Sequence, residues 1–212
     1  EQGRLITLEG VEGVGKTSAL REIAAFLEQH AVDFIVTREP GGTPMAEAIR
    51  NTLLAAQEEK VDPYTELLLM FAARRQHIQT VIAPALAQGQ WVVSDRFTDA
   101  SFAYQGGGRG IELSHIQTLA DWVQGDVKPH LTLLLDAPIA VAMRRLRHRQ
   151  HDRIEQAPLA FFERVRQTYL ELARAQAERF VVIDASKDLP EVQKALHQAL
   201  RTRLPLGATD AP

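Results

Sequence analysis

The run Gly10-Val11-Glu12-Gly13-Val14-Gly15-Lys16-Thr17 satisfies G-x-x-x-x-G-K-[ST] in full, between a β-rich run, Arg4 to Glu9, and a stretch of helical period, Thr17 to His30. No other feature of the chain restricts its fold so tightly. Backbone N–H groups close around a phosphate only where glycines let the chain turn back on itself, and the following helix must aim its positive dipole end at the same point. Such a strand-turn-helix unit calls for a parallel sheet with covered faces. Lys16 is then set to bridge the β- and γ-phosphates of ATP and Thr17 to ligate Mg2+, with Gly10 to Gly15 and Ser18 as the cradle. A glycine-rich turn without a ligand is the alternative, and it leaves the flanking strand and helix as coincidences.

The rest of the periodicity agrees with a sheet. Four further β-rich runs, Phe34 to Arg38, Trp91 to Asp95, Leu131 to Asp136 and Phe180 to Asp184, alternate with stretches of helical period. These stretches are Pro44 to Leu54, Tyr64 to Ile82, Leu113 to Val123, Ile139 to Arg149, Leu159 to Arg179 and Glu191 to Leu204. Five strands make one sheet, so the 212 residues read as a single domain, with the small, polar tail 207–212 expected to fray. The stretch Tyr64 to Ile82 is apolar enough around Leu67 to Phe71 to bury more than one face. Gly106 to Gly110 is no dinucleotide fingerprint, because Ile111 takes the last glycine position and no strand precedes it; it reads as a flexible loop.

Composition removes several classes of function. The absence of cysteine excludes disulfides, thiolate metal sites and a thiol nucleophile. With 24 Lys+Arg against 27 Asp+Glu, the net charge of −3 argues against nucleic acid as a partner, though a local basic pocket can hide in that sum. No apolar run approaches the roughly 18 residues of a membrane span, and Glu1 to Arg4 show no basic leader, so the expected location is cytoplasmic.

Among P-loop machines, a Ras-type GTPase is ruled out: no Asp has Gly three residues later, and Asn51 is the only asparagine. Small kinases remain, and they need cations for the acceptor. Asp95, Asp136 and Asp184 all end strands, but only Asp95 is followed by an arginine, Arg96, so Asp95 is the candidate metal partner. Arg38 and Arg96 both follow strands, at the carboxyl ends where open α/β sheets bind ligands. A dense group, Arg144, Arg145, Arg147, Arg149 and Arg153, reads either as a solvated helix end or as the means of bringing two phosphate groups together.

Taken with the P-loop, the segments Thr37-Arg38-Glu39-Pro40-Gly41-Gly42-Thr43, Leu69-Met70-Phe71-Ala72-Ala73-Arg74, Asp95-Arg96-Phe97 and Ala103-Tyr104-Gln105-Gly106-Gly107-Gly108-Arg109-Gly110 closely resemble bacterial thymidylate kinases, in order and spacing from about Leu5 to Leu204. The resemblance implies ATP + dTMP giving ADP + dTDP, a step toward dTTP. It also implies an α/β P-loop nucleoside-monophosphate-kinase fold, with a five-stranded parallel sheet flanked by helices, a mobile lid at about 145–157, and a homodimer. Phe71 matches the ring that stacks on thymine and Arg74 the residue that bonds the base; three apart on a helix, they share a face. Ser101, Tyr104 and Gln105 match contacts to base and sugar, Arg38 and Arg96 contacts to the acceptor phosphate, Glu12 the P-loop carboxylate near the 3′-hydroxyl, and Arg144 the arginine against adenine. Phe71 and Tyr104 would otherwise read as core aromatics.

Some relatives carry an arginine in the P-loop where this chain has Gly13, which implies that the lid supplies the transition-state cation, with Arg153 the stronger match and Arg149 the weaker. Catalysis would then rest on Lys16, Asp95, Arg96 and a lid arginine. Two other readings stay open at this stage: a kinase for a different nucleotide or a deoxynucleoside, and a P-loop regulatory ATPase.

Overall fold

The computed structural model of the chain describes residues 2–55, 59–146 and 152–204. Arg147, Arg149 and the tail 207–212 lie outside them. In chain order the elements are β1 (Leu5–Glu9), α1 (Lys16–Gln29), β2 (Phe34–Arg38), α2 (Pro44–Leu54), α3 (Pro63–His77), a π-helical turn (Ile78–Ile82), α4 (Ala83–Ala87), β3 (Trp91–Asp95) and α5 (Thr98–Ser101). They continue with a π-helix (Phe102–Gly108), α6 (Leu113–Gln124), β4 (Leu131–Asp136), α7 (Ile139–Leu146), α8 (Leu159–Ala175), β5 (Phe180–Asp184) and α9 (Leu189–Arg203).

All five strand expectations are borne out to within a residue. They form one parallel sheet in the order β2-β3-β1-β4-β5, with β1 in register against Val92–Asp95 on one side and Leu131–Leu134 on the other. β1 is buried along its whole length and β4 over all but its last residue, which is why both read as apolar runs without alternation. The chain leaves β1 toward β3 on one side and reaches β4 on the other. The carboxyl end of β1 is therefore the switch point of the sheet, where a crevice for ligands opens.

Two expectations need correction. The helical stretch that starts at Pro63 does not end at Ile82: it widens into a π turn there and resumes as α4. Pro84 has no N–H to give and its ring crowds the preceding turn, and the widened turn accommodates both. The second correction concerns Gly106 to Gly110, most of which lies in the buried π-helix and not in a flexible loop. A Cβ at Gly107 would stand 2.1 Å from Thr168 Oγ1 and one at Gly108 2.4 Å from the Phe161 ring. These glycines let the π-helix lie directly on α8, and Arg164 closes the contact by donating to the carbonyls of Gly107 and Gly108. Among the described residues, no helix is long and apolar enough to cross a membrane.

Candidate active site

The P-loop joins β1 to α1 with Gly10, Gly13 and Gly15 at φ 140, 82 and 99, conformations that side chains rarely adopt. Space is short as well: a Cβ at Gly13 would stand 2.2 Å from the Ala142 carbonyl oxygen. A side chain there would displace α7. Lys16 curls back over the loop and donates to the carbonyls of Gly10 and Val11 at 3.4 Å each. These are long bonds for an ammonium group. Burial, with Arg96 nearby, lowers its pKa to about 8, against the pull of Asp95, Glu12 and Glu9.

Arg96 enters from the end of β3 with φ 70, a strained value for a residue with a side chain. Its Nη2 donates to Glu12 Oε1 at 2.8 Å, to the Gly10 carbonyl at 3.2 Å and to the Tyr104 hydroxyl at 3.1 Å. Tyr104 in turn donates to Glu12 Oε2 at 2.6 Å. Burial alone would raise the Glu12 carboxyl; Arg96 and Lys16 outweigh it and hold it below its ordinary value. The P-loop carboxylate is thus clamped, ionised, between an arginine and a phenol.

A cavity opens on this side of the loop. Glu12, Arg50, Arg96 and Tyr104 line it, together with Met70, Arg74, Ala100, Ser101, Gln105, Asp152 and Ile154 among others. Arg74 is buried and fixed by three partners: Glu39 Oε2 at 2.6 Å, Ser101 Oγ at 3.0 Å and the Phe97 carbonyl at 3.1 Å. Glu39 also takes His77 Nδ1 at 3.0 Å, and His77 Nε2 reaches Thr37 Oγ1 at 2.7 Å. A chain of buried bonds from β2 to α3 therefore sets where the Arg74 guanidinium stands. A second groove lies across the loop, lined by Val14, Gly15, Ser18, Ala19, Arg145, Lys187 and Leu196 among others.

Asp95 Oδ1 is buried and has no hydrogen-bond partner. A carboxylate oxygen left so is costly unless a cation or its water shell meets it. With the Thr17 hydroxyl at the start of α1, it forms an oxygen donor set that fits a small hard divalent ion. Among the described residues no group of three or more carboxylates and histidines could hold a metal without further help. That suits an ion held mainly by phosphates and water.

The sequence reading placed several residues differently. Phe71 was expected on the base, but its ring is 2% exposed and packs with Leu67, Ile111 and Ile116, outside the cavity. Arg74 lies 4.7 Å over that ring, so Phe71 backs the arginine, and Met70 presents itself to the cavity instead. Positions three and four before Arg74 share its helix face equally well, so spacing could not choose between them. Arg38 is exposed at the rim on Glu47, and Arg50, which no motif marked, stands in the wall. Arg145 lines the second groove, whereas Arg144 is exposed and does not. Arg153 was expected over the phosphates and is instead paired with Glu66 at 2.6 Å.

Behind the loop, Glu9 is fully buried and accepts from the Phe97 N–H at 2.8 Å and the Tyr169 hydroxyl at 2.7 Å. Burial, reinforced by the negative charge of Asp99, raises its pKa from 4.5 to about 8. The folded state then binds the proton more tightly than the unfolded one, so this group's stabilising contribution is full below about pH 4.5 and falls as pH rises toward 8. Glu9→Gln keeps an acceptor for Phe97 and offers a donor to Tyr169. The variant is expected to gain stability relative to the parent across that window, by on the order of a few kcal/mol at its upper end. Denaturant unfolding at pH 5 and pH 8.5 measures it, and a difference that does not grow with pH would refute the assignment.

A P-loop at the switch point of a five-stranded parallel sheet, with an arginine-lined cavity and a second groove beside the loop, defines a phosphotransferase of the nucleoside monophosphate kinase class. Comparison narrows the class: the chain belongs to the thymidylate kinase family, whose profile matches residues 8–196. It is 50% identical over 202 residues to the thymidylate kinase of Nitrosospira multiformis, covering 95% of this chain and 98% of that one. It is 52% identical over 199 residues to that of Pseudomonas entomophila, covering 93% and 95%. The crystal structure of thymidylate kinase from Ehrlichia chaffeensis superposes with a TM-score of 0.77 at 33% identity, over 95% of this chain and 99% of that one.

Proposed function

We infer that this chain is an ATP-dependent kinase that converts dTMP to dTDP. The observation that carries the reading is the cavity beside the P-loop, which Arg50, Arg74 and Arg96 line together with Ser101, Tyr104 and Gln105, within a chain of this family. ATP lies in the groove beside Val14, Arg145 and Leu196, with its terminal phosphates on the P-loop N–H groups and Lys16. dTMP lies in the cavity, its phosphate toward Arg96 and Arg50 and its base toward Arg74, Ser101 and Gln105, with the Met70 thioether against the ring face. Tyr104, fixed on Glu12, crowds the sugar and favours a 2′-deoxyribose.

Transfer is in line and needs no general base. The second pKa of a phosphate monoester is about 6, so the attacking oxygen is already ionised near neutral pH. What this chain supplies is position and positive charge: Arg96 fixes the nucleophile, Lys16 meets charge that builds on the transferred group, and Gly13 lets the loop lie close against α7. Thr17 and Asp95 would hold Mg2+, which contributes charge neutralisation at the bridging oxygens. The resemblance assigns the transition-state cation to Arg153, which is paired here with Glu66 at 2.6 Å. The cytoplasmic homodimer implied by the resemblance is part of the same reading. The exposed Trp122, Leu68, Leu113 and Tyr64 on α3 and α6 offer a face for pairing, which light scattering would register as twice 23.6 kDa.

An ADP-release assay with dTMP, dUMP, dCMP and thymidine side by side tests the activity. Turnover of dTMP well above dCMP and thymidine is the expected result. ADP release that no acceptor accelerates would instead favour a regulatory ATPase.

A further inference from the structure

We propose that Glu66 is a positioning residue of the acceptor site, a buried carboxylate on α3 that ties together two stretches at the cavity wall, the π-helix with its C-cap and the segment around Arg153. The proposal rests on the dTMP reading above. Glu66 lies outside the cavity, on α3, four residues before Met70 and eight before Arg74, so all three fall on one helix face. It is 1% exposed. Its Oε1 accepts from Gln105 Nε2 at 2.9 Å and from Arg109 Nε at 3.2 Å. Its Oε2 accepts from Arg109 Nη2 at 3.2 Å and from Arg153 Nη2 at 2.6 Å.

Two of these partners reach the wall, and the third, Arg109, caps the π-helix that carries Gln105. Gln105 lines the cavity directly, on the π-helix that also carries Tyr104. Arg153 does not line it, but the residues on either side, Asp152 and Ile154, do. Arg153 is tied to the end of α2 as well, donating from Nε to the Leu53 carbonyl at 2.7 Å and from its backbone N–H to the Leu54 carbonyl at 3.2 Å. The segment around it holds its own shape, because Asp152 Oδ1 accepts from the N–H groups of Ile154 and Glu155 at 2.9 Å each. The segment therefore takes its place as a unit wherever Arg153 is fixed.

Charge explains why an acid is needed. Two guanidinium groups converge on one carboxylate in a buried place, and an apolar core would not need such a cluster; buried ion groups of this kind set geometry more than they add stability. Glu66→Gln keeps the shape and one acceptor oxygen but removes the charge, leaving Arg109 and Arg153 to repel each other. Arg109 has a second support in the Phe161 ring, 4.6 Å from its guanidinium carbon. Displacement of either arginine moves Gln105 or the Asp152–Ile154 wall away from the acceptor, while the ATP groove, which shares none of these residues, stays as it was.

The test uses calorimetric binding of dTMP and of ATP, separately, together with steady-state kinetics, on the parent, Glu66→Gln, Arg153→Gln and the double variant. The Kd and KM for dTMP are expected to rise about tenfold in each single variant, with the KM for ATP within about twofold. The double variant should be no worse than the weaker single, because both changes break the same contact. Unchanged dTMP affinity, an equal loss for ATP, or additive losses would overturn the proposal. Should Glu66→Gln fail to fold, the more exposed Arg153→Gln carries the same comparison. A parent that neither binds nor phosphorylates dTMP would refute the functional reading itself, whereas an active parent with insensitive variants refutes only the role of Glu66.

Discussion

Lys16→Met is expected to lower kcat by about 10³-fold while leaving the ligand-free protein at least as stable as the parent. Both halves follow from the same local arrangement. The ammonium is half-buried, its pKa is lowered to about 8, and it donates to the carbonyls of Gly10 and Val11 at 3.4 Å each. Without nucleotide the charge costs more than it returns, so a similar apolar chain in its place relieves the fold. During transfer the same under-bonded ammonium meets negative charge as it develops, already oriented and with little water to remove. Single-turnover kinetics and a thermal melt of the two proteins measure the two effects. A kcat within tenfold of the parent would show that the loop N–H groups alone hold the transferring phosphate.

Arg96→Ala should lower kcat/KM for dTMP by about 10³-fold, with little change in the KM for ATP. The guanidinium does two things: it contacts the acceptor phosphate in the proposed complex, and it holds Glu12 and Tyr104 in the ligand-free site. The backbone complicates the result, since φ 70 is strained for arginine and for alanine alike. Arg96→Gly separates the two contributions. Glycine relieves the strain, of order 1 kcal/mol, yet lacks the charge, so it should match alanine in activity and exceed it in stability. Activity retained by the glycine variant would mean that the positive-φ backbone conformation, and not the guanidinium, is what catalysis needs.

Much of this site could be read from the chain without coordinates, and the misreadings have physical causes. The P-loop, the five strands and the Asp95-Arg96 pair are local: each is fixed by a few consecutive residues whose chemistry permits little else. Phe71 and Met70 show how wide a helix face is. Met70 and Phe71 are both neighbours of Arg74, and only the packing of α3 against Ile111 and Ile116 turns one ring into the core and leaves the thioether to the cavity. The Gly106 to Gly110 run failed because glycine was read as freedom when it serves close approach to Phe161 and Thr168, residues about sixty positions away. Arg50 and Glu66 carried no signal at all, since neither belongs to a motif and each acts through partners on other elements.

By itself the sequence determined that a nucleotide phosphate would be bound at the end of the first strand, because a loop of that composition between strand and helix has one geometry that satisfies its backbone. Family resemblance in the motifs then pointed to the acceptor. Only the tertiary structure decided which cations line the cavity, that Arg153 pairs with Glu66, and that Met70 lines the cavity while Phe71 packs among Leu67, Ile111 and Ile116. Those outcomes depend on where separate helices meet, and contact across long sequence distance is set by the packing of the whole core, which no local pattern contains.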